Sequence, residues 1–577
     1  MGGLQEPGGE GMERRAILAT ILAVIVLVVY QTFFAPTPPE QPTEPQQAEV
    51  EKPKPEAPPA TARPTAPPAK AAEKRPVTHP KMSGPLIRAT QEETVTLETD
   101  LLKVVLTNRG GAVRSWQLKQ YQETTGPVDL VGIPPQDSTL LPLASSVAGG
   151  EGVTGLYRIV ERPSADPSKP QRVVMEFQER EGILLEKSLV IYPGRYLADV
   201  ELRLKNLAGV PTEGAVRLQW GPGFRTGAAN QNTRFGRVSA VAWIDGGRVT
   251  PDMAKVTEEV LQSGAVSWTA LEDTYFAAAL VPAEPGPSGL VAKDAEGKPI
   301  VGLLYPAQQI PAGGETTTQV KLYAGPKEIT RLRDAGHDLR ELVNLGWFDF
   351  MARPALYFIR FLNAFVGNYG VAIIIITILQ KVAFYPLTQK SNKSMQAMQT
   401  LQPKILAIKE KYKNNPQKAN QETMELYKRH GVNPVGGCLP MLVQLPIFLA
   451  LYNALLGSVE MWHAPFALWI TDLSAPDTLF ALPFALPYLG ASFPVRGLPL
   501  IMGVSMFIQQ KMSPTGGDPR QAKMMLFMMP IIFTVMFWGF PSGLVLYWLI
   551  NNVLQIGQQY RMNKGLGLPA LTGKEAE

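Results

Sequence analysis

Two rhythms of hydrophobic and polar positions divide this chain. From about Ile87 to Gly325 apolar and polar residues alternate in short runs, and Gly, Pro and Asn separate one run from the next. TVTLETDLLKVVLTN, RVVMEFQ, LEKSLVIYP, LADVELRLKN and TQVKLYAG follow this pattern. Period-two alternation with frequent turn residues predicts a large antiparallel β-sandwich over 87–325. Trp243, Trp268 and Tyr275 then fall in its core or on a sheet face, with a carbohydrate or peptide site as the alternative use.

The second rhythm is long and continuous. Apolar runs lie near 368–388, 438–457, 496–511, 524–540 and 543–560, and an earlier one covers 16–34. Each approaches the length that crosses ~30 Å of hydrocarbon, so six spans are predicted. Arg14 and Arg15 precede the first run, which predicts a cytoplasmic 1–15 and an uncleaved anchor over 16–34. A cleaved signal peptide is the competing reading, but TFFAP offers no small-x-small cleavage site. Met12 is a second candidate start. Residues 35–86 are rich in Pro with Glu, Lys, Ala and Thr, a composition that predicts a disordered tether. The stretch 326–367 is amphipathic, with Trp347, Phe348, Phe350, Tyr357, Phe358, Phe361 and Phe365. Arg353, Pro354 and Arg360 interrupt it too often for a span, so it reads as an amphipathic helix on the membrane surface.

Basic residues set the orientation. Between the second and third spans, Lys390, Lys393, Lys404, Lys409, Lys411, Lys413, Lys418, Lys428 and Arg429 outnumber Glu410, Glu422 and Glu425. Lys511, Arg520 and Lys523 precede the fifth span, and Arg561 and Lys564 follow the last. With all three regions inside, both termini are cytoplasmic, 563–577 being a tail, and the β-domain is external. The apolar stretch 478–496 carries Pro483, Pro487 and Pro494; as a span it would export the basic loops, so it reads as an external or interfacial insertion. Within 389–434, Met395, Met398, Leu401, Ile405, Ile408 and Tyr412 recur on one helical face. Asn414-Asn415-Pro416 breaks that helix, and Gln417 to His430 supplies a second, which together predict a cytoplasmic hairpin. Its basic faces meet ribosomal RNA or lipid headgroups, or are simply solvated; these readings stay open.

Composition narrows the chemistry. The chain has 577 residues, 18% of them charged, and a formal net charge of +5, too little to argue for nucleic acid. Cys438 is the only cysteine, so no intrachain disulfide forms, and its apolar setting reads as packing. The four histidines show no metal-ligand spacing, and GxxxxGK, GxSxG and HExxH are all missing. Neither a catalytic centre, a cofactor nor a metal is expected.

One charge stands out. Lys381 interrupts VAIIIITILQKVAFYPL, where a lysine costs roughly 2.5–3.5 kcal/mol on insertion scales. It lies about six residues, or ~9 Å, from the cytoplasmic end of its span, within reach of snorkelling. Thr377 lies one turn away and Gln380 adjoins it, while Gln444, Gln509, Gln510, Asn551, Asn552, Gln555, Gln558 and Gln559 occupy other spans. Together they would line a wet recess open to the cytoplasm. The methionine-rich run Met524 to Phe540 packs irregular gaps or suits varied apolar clients.

These motifs resemble a known family. GNYGVAIIIITILQKVAFYPLT, MQTLQPKILAIKEKY, GVNPVGGCLPMLVQLPIFLALYNAL, APFALWITDLSAPD, IQQKMSPT and FPSGLVLYWLINN look like the YidC/Oxa/Alb membrane protein insertases. They run in family order over roughly 350–562, and the anchor, tether and β-domain look like the form found in bacteria with two membranes. The resemblance implies a polytopic α-helical inner-membrane protein with a five-helix insertase core over 368–562, a periplasmic β-sandwich, and a hydrophilic groove open to cytoplasm and lipid. Lys381 replaces the usual groove Arg, keeping the charge but losing the forked donor. Thr377 matches a position implicated in insertion, and Pro386 matches the usual proline. Leu445 and Pro446 match positions where client helices slide, and Tyr547 and Trp548 match a Tyr-rich pair. Asp518 and Lys523 match the second cytoplasmic loop. The implied partners are nascent membrane proteins, the Sec translocon, the ribosome with signal-recognition targeting, and lipid, with a monomer as the working unit. A solute transporter or channel using the intramembrane lysine is the alternative; an anchored periplasmic binding protein is a third reading.

Overall fold

The computed structural model describes residues 86–565, apart from 124–125, 132–139, 148–149, 180–181, 225–237, 433–438, 483–492 and 513–518. The expected anchor at 16–34, nearly all of the 35–86 tether, Cys438 and Asp518 lie outside the described residues.

Alternation becomes sheet. Thr94–Glu98 alternates exposed and buried residues one by one, and Leu197–Asn206 half-buried and buried ones, so each strand places one face in the core. Among the described residues nine strands form the main sheet, with Phe276–Pro282 and Glu315–Pro326 near its middle. Every residue of Phe276–Pro282 is buried, and three alanines in a row let neighbouring layers approach closely. A five-stranded sheet stacks against it, Val266–Glu272 facing Pro299–Leu304. A four-stranded meander, Thr94–Asp129, adds Trp116 to the core; its indole donates to Ala324 O at 3.1 Å and meets the Trp220 ring edge-on at 6.0 Å. The recorded strand pairs are antiparallel. Trp268 and Tyr275 are buried in this core and Trp243 stacks on Trp268 at 6.2 Å, so all three have packing roles.

The stretch 326–367 departs from the expected single surface helix. Helix α1 (Ile329–Ala335) and two short turns, Leu339–Leu342 and Gly346–Phe348, come first. Ile329, Leu332, Leu339, Leu342 and Leu345 are buried in the core shared with the sheets. Only α2 (Asp349–Val366) is a long amphipathic helix, and it runs through Pro354. Gly367 ends it in the left-handed conformation, φ 65°, donating its amide to Asn363 O at 2.8 Å. Phe350, Phe361 and Phe365 remain exposed on α2.

The further helices among the described residues are α3 (Tyr369–Thr400), α4 (Gln402–Lys411), α5 (Pro416–Arg429), α6 (Leu439–Leu456), α7 (Gly497–Met512), α8 (Pro519–Phe537) and α9 (Ser542–Gly565). Within α3, Tyr369–Ser391 is long and apolar enough to cross a membrane; Val443–Leu456 and Leu526–Phe537 are shorter apolar segments. The helical face expected from Met395 to Tyr412 is split, because α3 ends at Thr400 and α4 starts anew after Leu401. The stretch 478–496 contributes a short strand pair, Phe480–Leu482 with Phe493–Val495.

Sheets and helices are joined by charge and aromatic contact. Arg360 of α2 meets Glu328 at 3.1 Å and Glu460, just beyond α6, at 3.2 Å. Burial raises the Glu460 carboxyl pKa, while Ser458 and Arg360 act to lower it. Trp462 packs edge-on against Tyr275 at 4.8 Å and Phe276 at 5.5 Å.

Candidate polar seam between helices

Helix α9 carries Tyr547, Asn551, Gln555 and Gln558 at steps of four, four and three, a spacing that aligns them on one face. Helix α3 carries Gln380, Lys381 and Thr388 opposite. Three rungs join them. Gln444 Nε2 of α6 donates to Tyr547 Oη at 2.8 Å, and that hydroxyl donates to Gln380 Oε1 at 3.4 Å. Lys381 Nζ donates to Gln555 Oε1 at 2.8 Å. Gln558 Nε2 donates to Thr388 Oγ1 at 3.1 Å. Numbering rises along both helices from rung to rung, so α3 and α9 run in the same direction.

The middle rung holds the charge. Lys381 is half-buried, and among the described residues its hydrogen-bond partner is a neutral amide. An amide satisfies one ammonium proton and leaves the positive charge in place. Beyond the Tyr547 rung the bundle is filled. Ala372, Ile373, Leu473, Phe537 and Leu544 are buried there. The loop after α6 closes over the helix starts: Asn368 Nδ2 donates to Phe466 O at 3.0 Å, and Ser542 Oγ to Asp472 O at 2.5 Å. The seam is therefore closed at one end by packing and loop.

Not every expected residue joins it. Thr377 is buried and its hydroxyl donates to Ile373 O at 2.6 Å, within its own helix. Trp548 turns away into rings, edge-on to Phe448 at 4.8 Å and 5.4 Å from Phe537. Asn551 and Gln509 are half-buried, whereas Asn552 is buried and bonded to Ser505 at 3.1 Å. Leu445 and Pro386 are exposed and Pro446 is half-buried within α6. Gln555 and Gln558, named from sequence among the polar residues of the other spans, do join the seam, whereas Thr388 was not singled out; it lies seven residues beyond Lys381 on α3, two turns along the same helix.

Helices α4 and α5 fold back on each other, with Lys404 Nζ 3.4 Å from His430 Nε2. Ile405 and Ala419 are buried, while Lys404, Lys409, Lys411, Lys413 and Lys428 are exposed. Lys411 and Lys418 flank the Tyr412 ring at 5.4 and 5.3 Å. Lys523 lies in the first turns of α8.

Known proteins carry the same two-part organisation. Residues 361–567 match the family model of the 60Kd inner membrane protein, and 94–358 match that of the YidC periplasmic domain. "Membrane protein insertase YidC" of Syntrophus aciditrophicus is 37% identical over 563 residues, covering 96% of this chain and 100% of that protein. The protein of the same name from Pelobacter propionicus is 38% identical over 96% of this chain and 99% of its own. A crystal structure of an active YidC insertase with its first transmembrane domain resolved overlays with a TM-score of 0.35 at 20% identity, over 82% of this chain and 94% of that one. From the identity and coverage of these relatives, the chain belongs to the YidC membrane protein insertase family, and it has that family's inner-membrane region and periplasmic domain.

Proposed function

We propose that this chain inserts nascent proteins into the inner membrane and helps them fold there, alone or beside the Sec translocon. The observation that carries the proposal is Lys381, a positive charge held by a neutral amide in a seam whose other rungs are uncharged polar groups. A client's short polar end is hydrated along the seam, its acidic residues are drawn to Lys381, and its apolar segment slides past Leu445 and Pro446 into lipid. Burying apolar surface yields roughly 25 cal/mol per Å², which drives the transfer without nucleotide.

In this reading the chain spans the membrane six times, both termini are cytoplasmic, and the β-domain is periplasmic. Helix α2 lies on the outer surface, and the exposed aromatic side chains along it support this. The α4–α5 hairpin is cytoplasmic, where Lys404, Lys409, Lys411, Lys413 and Lys428, with Asp518 and with Lys523 in the first turns of α8, receive ribosomes and signal-recognition machinery. One copy suffices. The relatives' name favours insertion over solute transport.

Reconstituted insertion of paired clients tests the charge. Lys381→Ala is expected to lower insertion of a client with an acidic external tail about tenfold, the equivalent of ~1.4 kcal/mol, and that of a neutral-tailed client less than twofold. Equal losses for both would remove charge attraction from the mechanism.

A further inference from the structure

We infer that Gln555 is a positioning residue for client carboxylates: it holds the Lys381 ammonium in the seam until an acidic group displaces it. This rests on the insertase reading above and adds a residue to it. The warrant is geometric. Gln555 comes from α9, 174 positions away, and its Oε1 is 2.8 Å from Nζ. A lysine stem long enough to snorkel would otherwise carry its charge out along α3 toward water. The rungs on either side, Tyr547 with Gln380 and Gln558 with Thr388, fix the spacing of the two helices and so the reach of the amide.

The choice of glutamine matters. A glutamate at this place would form an ion pair and cancel the charge that the client needs. An apolar residue would leave the ammonium without its partner on α9. Glutamine offers an acceptor that a carboxylate outcompetes, because hydrogen bonds between two ions are stronger than those to a neutral amide. The Gln555 amide then keeps its NH2 free to donate to the incoming carboxylate, so both groups face the same ligand.

Two substitutions at 555 give opposite electrostatics on one scaffold. Full-length Gln555→Glu and Gln555→Met proteins are reconstituted and offered single-span clients whose external tails carry two aspartates or two asparagines. Gln555→Glu is expected to lower aspartate-tail insertion about tenfold relative to asparagine-tail insertion by the same protein, and Gln555→Met about threefold. Adding Gln555→Met to Lys381→Ala is expected to change the ratio between clients no further, since the effect passes through the lysine. Equal insertion of both clients by Gln555→Glu, or a further fall in the double variant, overturns the assignment while leaving Lys381 in place. A Lys381→Ala protein that does not distinguish the clients removes the insertase charge reading and this inference with it. Should Gln555→Glu lose both clients, Gln555→Met decides: no preferential loss of the aspartate tail overturns the role.

Discussion

The β-domain and the helical bundle bury opposite things. In the β-domain Trp116, Trp220 and Trp268 are fully enclosed, and charges inside are exceptions with partners: Glu272 meets both Arg248 and Lys327. In the bundle Val382 and Val535 are 66% and 69% exposed, while Thr377 and Asn552 are buried. Each region follows the ordinary rule for its solvent. Water expels apolar side chains from the surface of the first; lipid accepts them on the second and leaves polar groups to find one another within. Lys187 and Lys381 sharpen the contrast. Lys187 is 2% exposed and donates to the Leu143 carbonyl, and burial pushes its pKa down to about 7. The same residue type is stored among sheets in one region and held half-open in a seam in the other.

The comparison can be broken at its dry end first. Trp116→Ala removes a wholly enclosed ring and its bond to Ala324, and is expected to cost about 3–5 kcal/mol in unfolding of the sheets, read by chemical denaturation of the full-length protein. A loss under about 1 kcal/mol would mean that this core does not hold the domain. Lys187 tests the next effect. Its folded pKa of about 7 lies below the ordinary 10.5, so the unfolded chain binds more protons between those values. Stability then rises with pH across that window, by up to about 1.4 kcal/mol per pH unit for one proton, and is flat below it. Lys187→Met is expected to abolish this rise, and melting curves of both proteins from pH 6 to 10 measure it; an unchanged slope would place the lysine's charge in water. The smallest effect belongs to the lipid face. Val535→Ala is expected to change stability by less than about 0.5 kcal/mol, since no cavity opens in a side chain already exposed. A cost equal to that of a core valine would show the face to be covered.

Strands were legible because a period of two suits a strand with one buried face and fits no helix; Leu197–Asn206 alternates without a break along its whole length. The stretch 326–348 misleads for an equally physical reason. Ile329, Leu332, Leu339 and Leu342 make one apolar face, and amphipathicity reports such a face without saying whether lipid or a sheet covers it. The break at Leu401 did have a signal: Pro403 in the first turn of α4 lacks an amide donor and suits a helix start. In the seam, Lys381 was visible as a charge among apolar neighbours. Which of the amides on the other spans it pairs with was not, because a contact across 174 positions is decided by how two helices pack.

Helix α3 has a mechanical consequence. Its 32 residues make a rod of ~48 Å, longer than the ~30 Å hydrocarbon layer by three turns or so. A rod of this kind transmits tilt where a linker would absorb it. Its one soft joint is Pro386, which withdraws a hydrogen bond from the Val382 carbonyl just past Lys381. Load arriving from the α4–α5 end therefore crosses the Thr388–Gln558 rung, bends the lever at that joint, and next reaches the rung holding the ammonium.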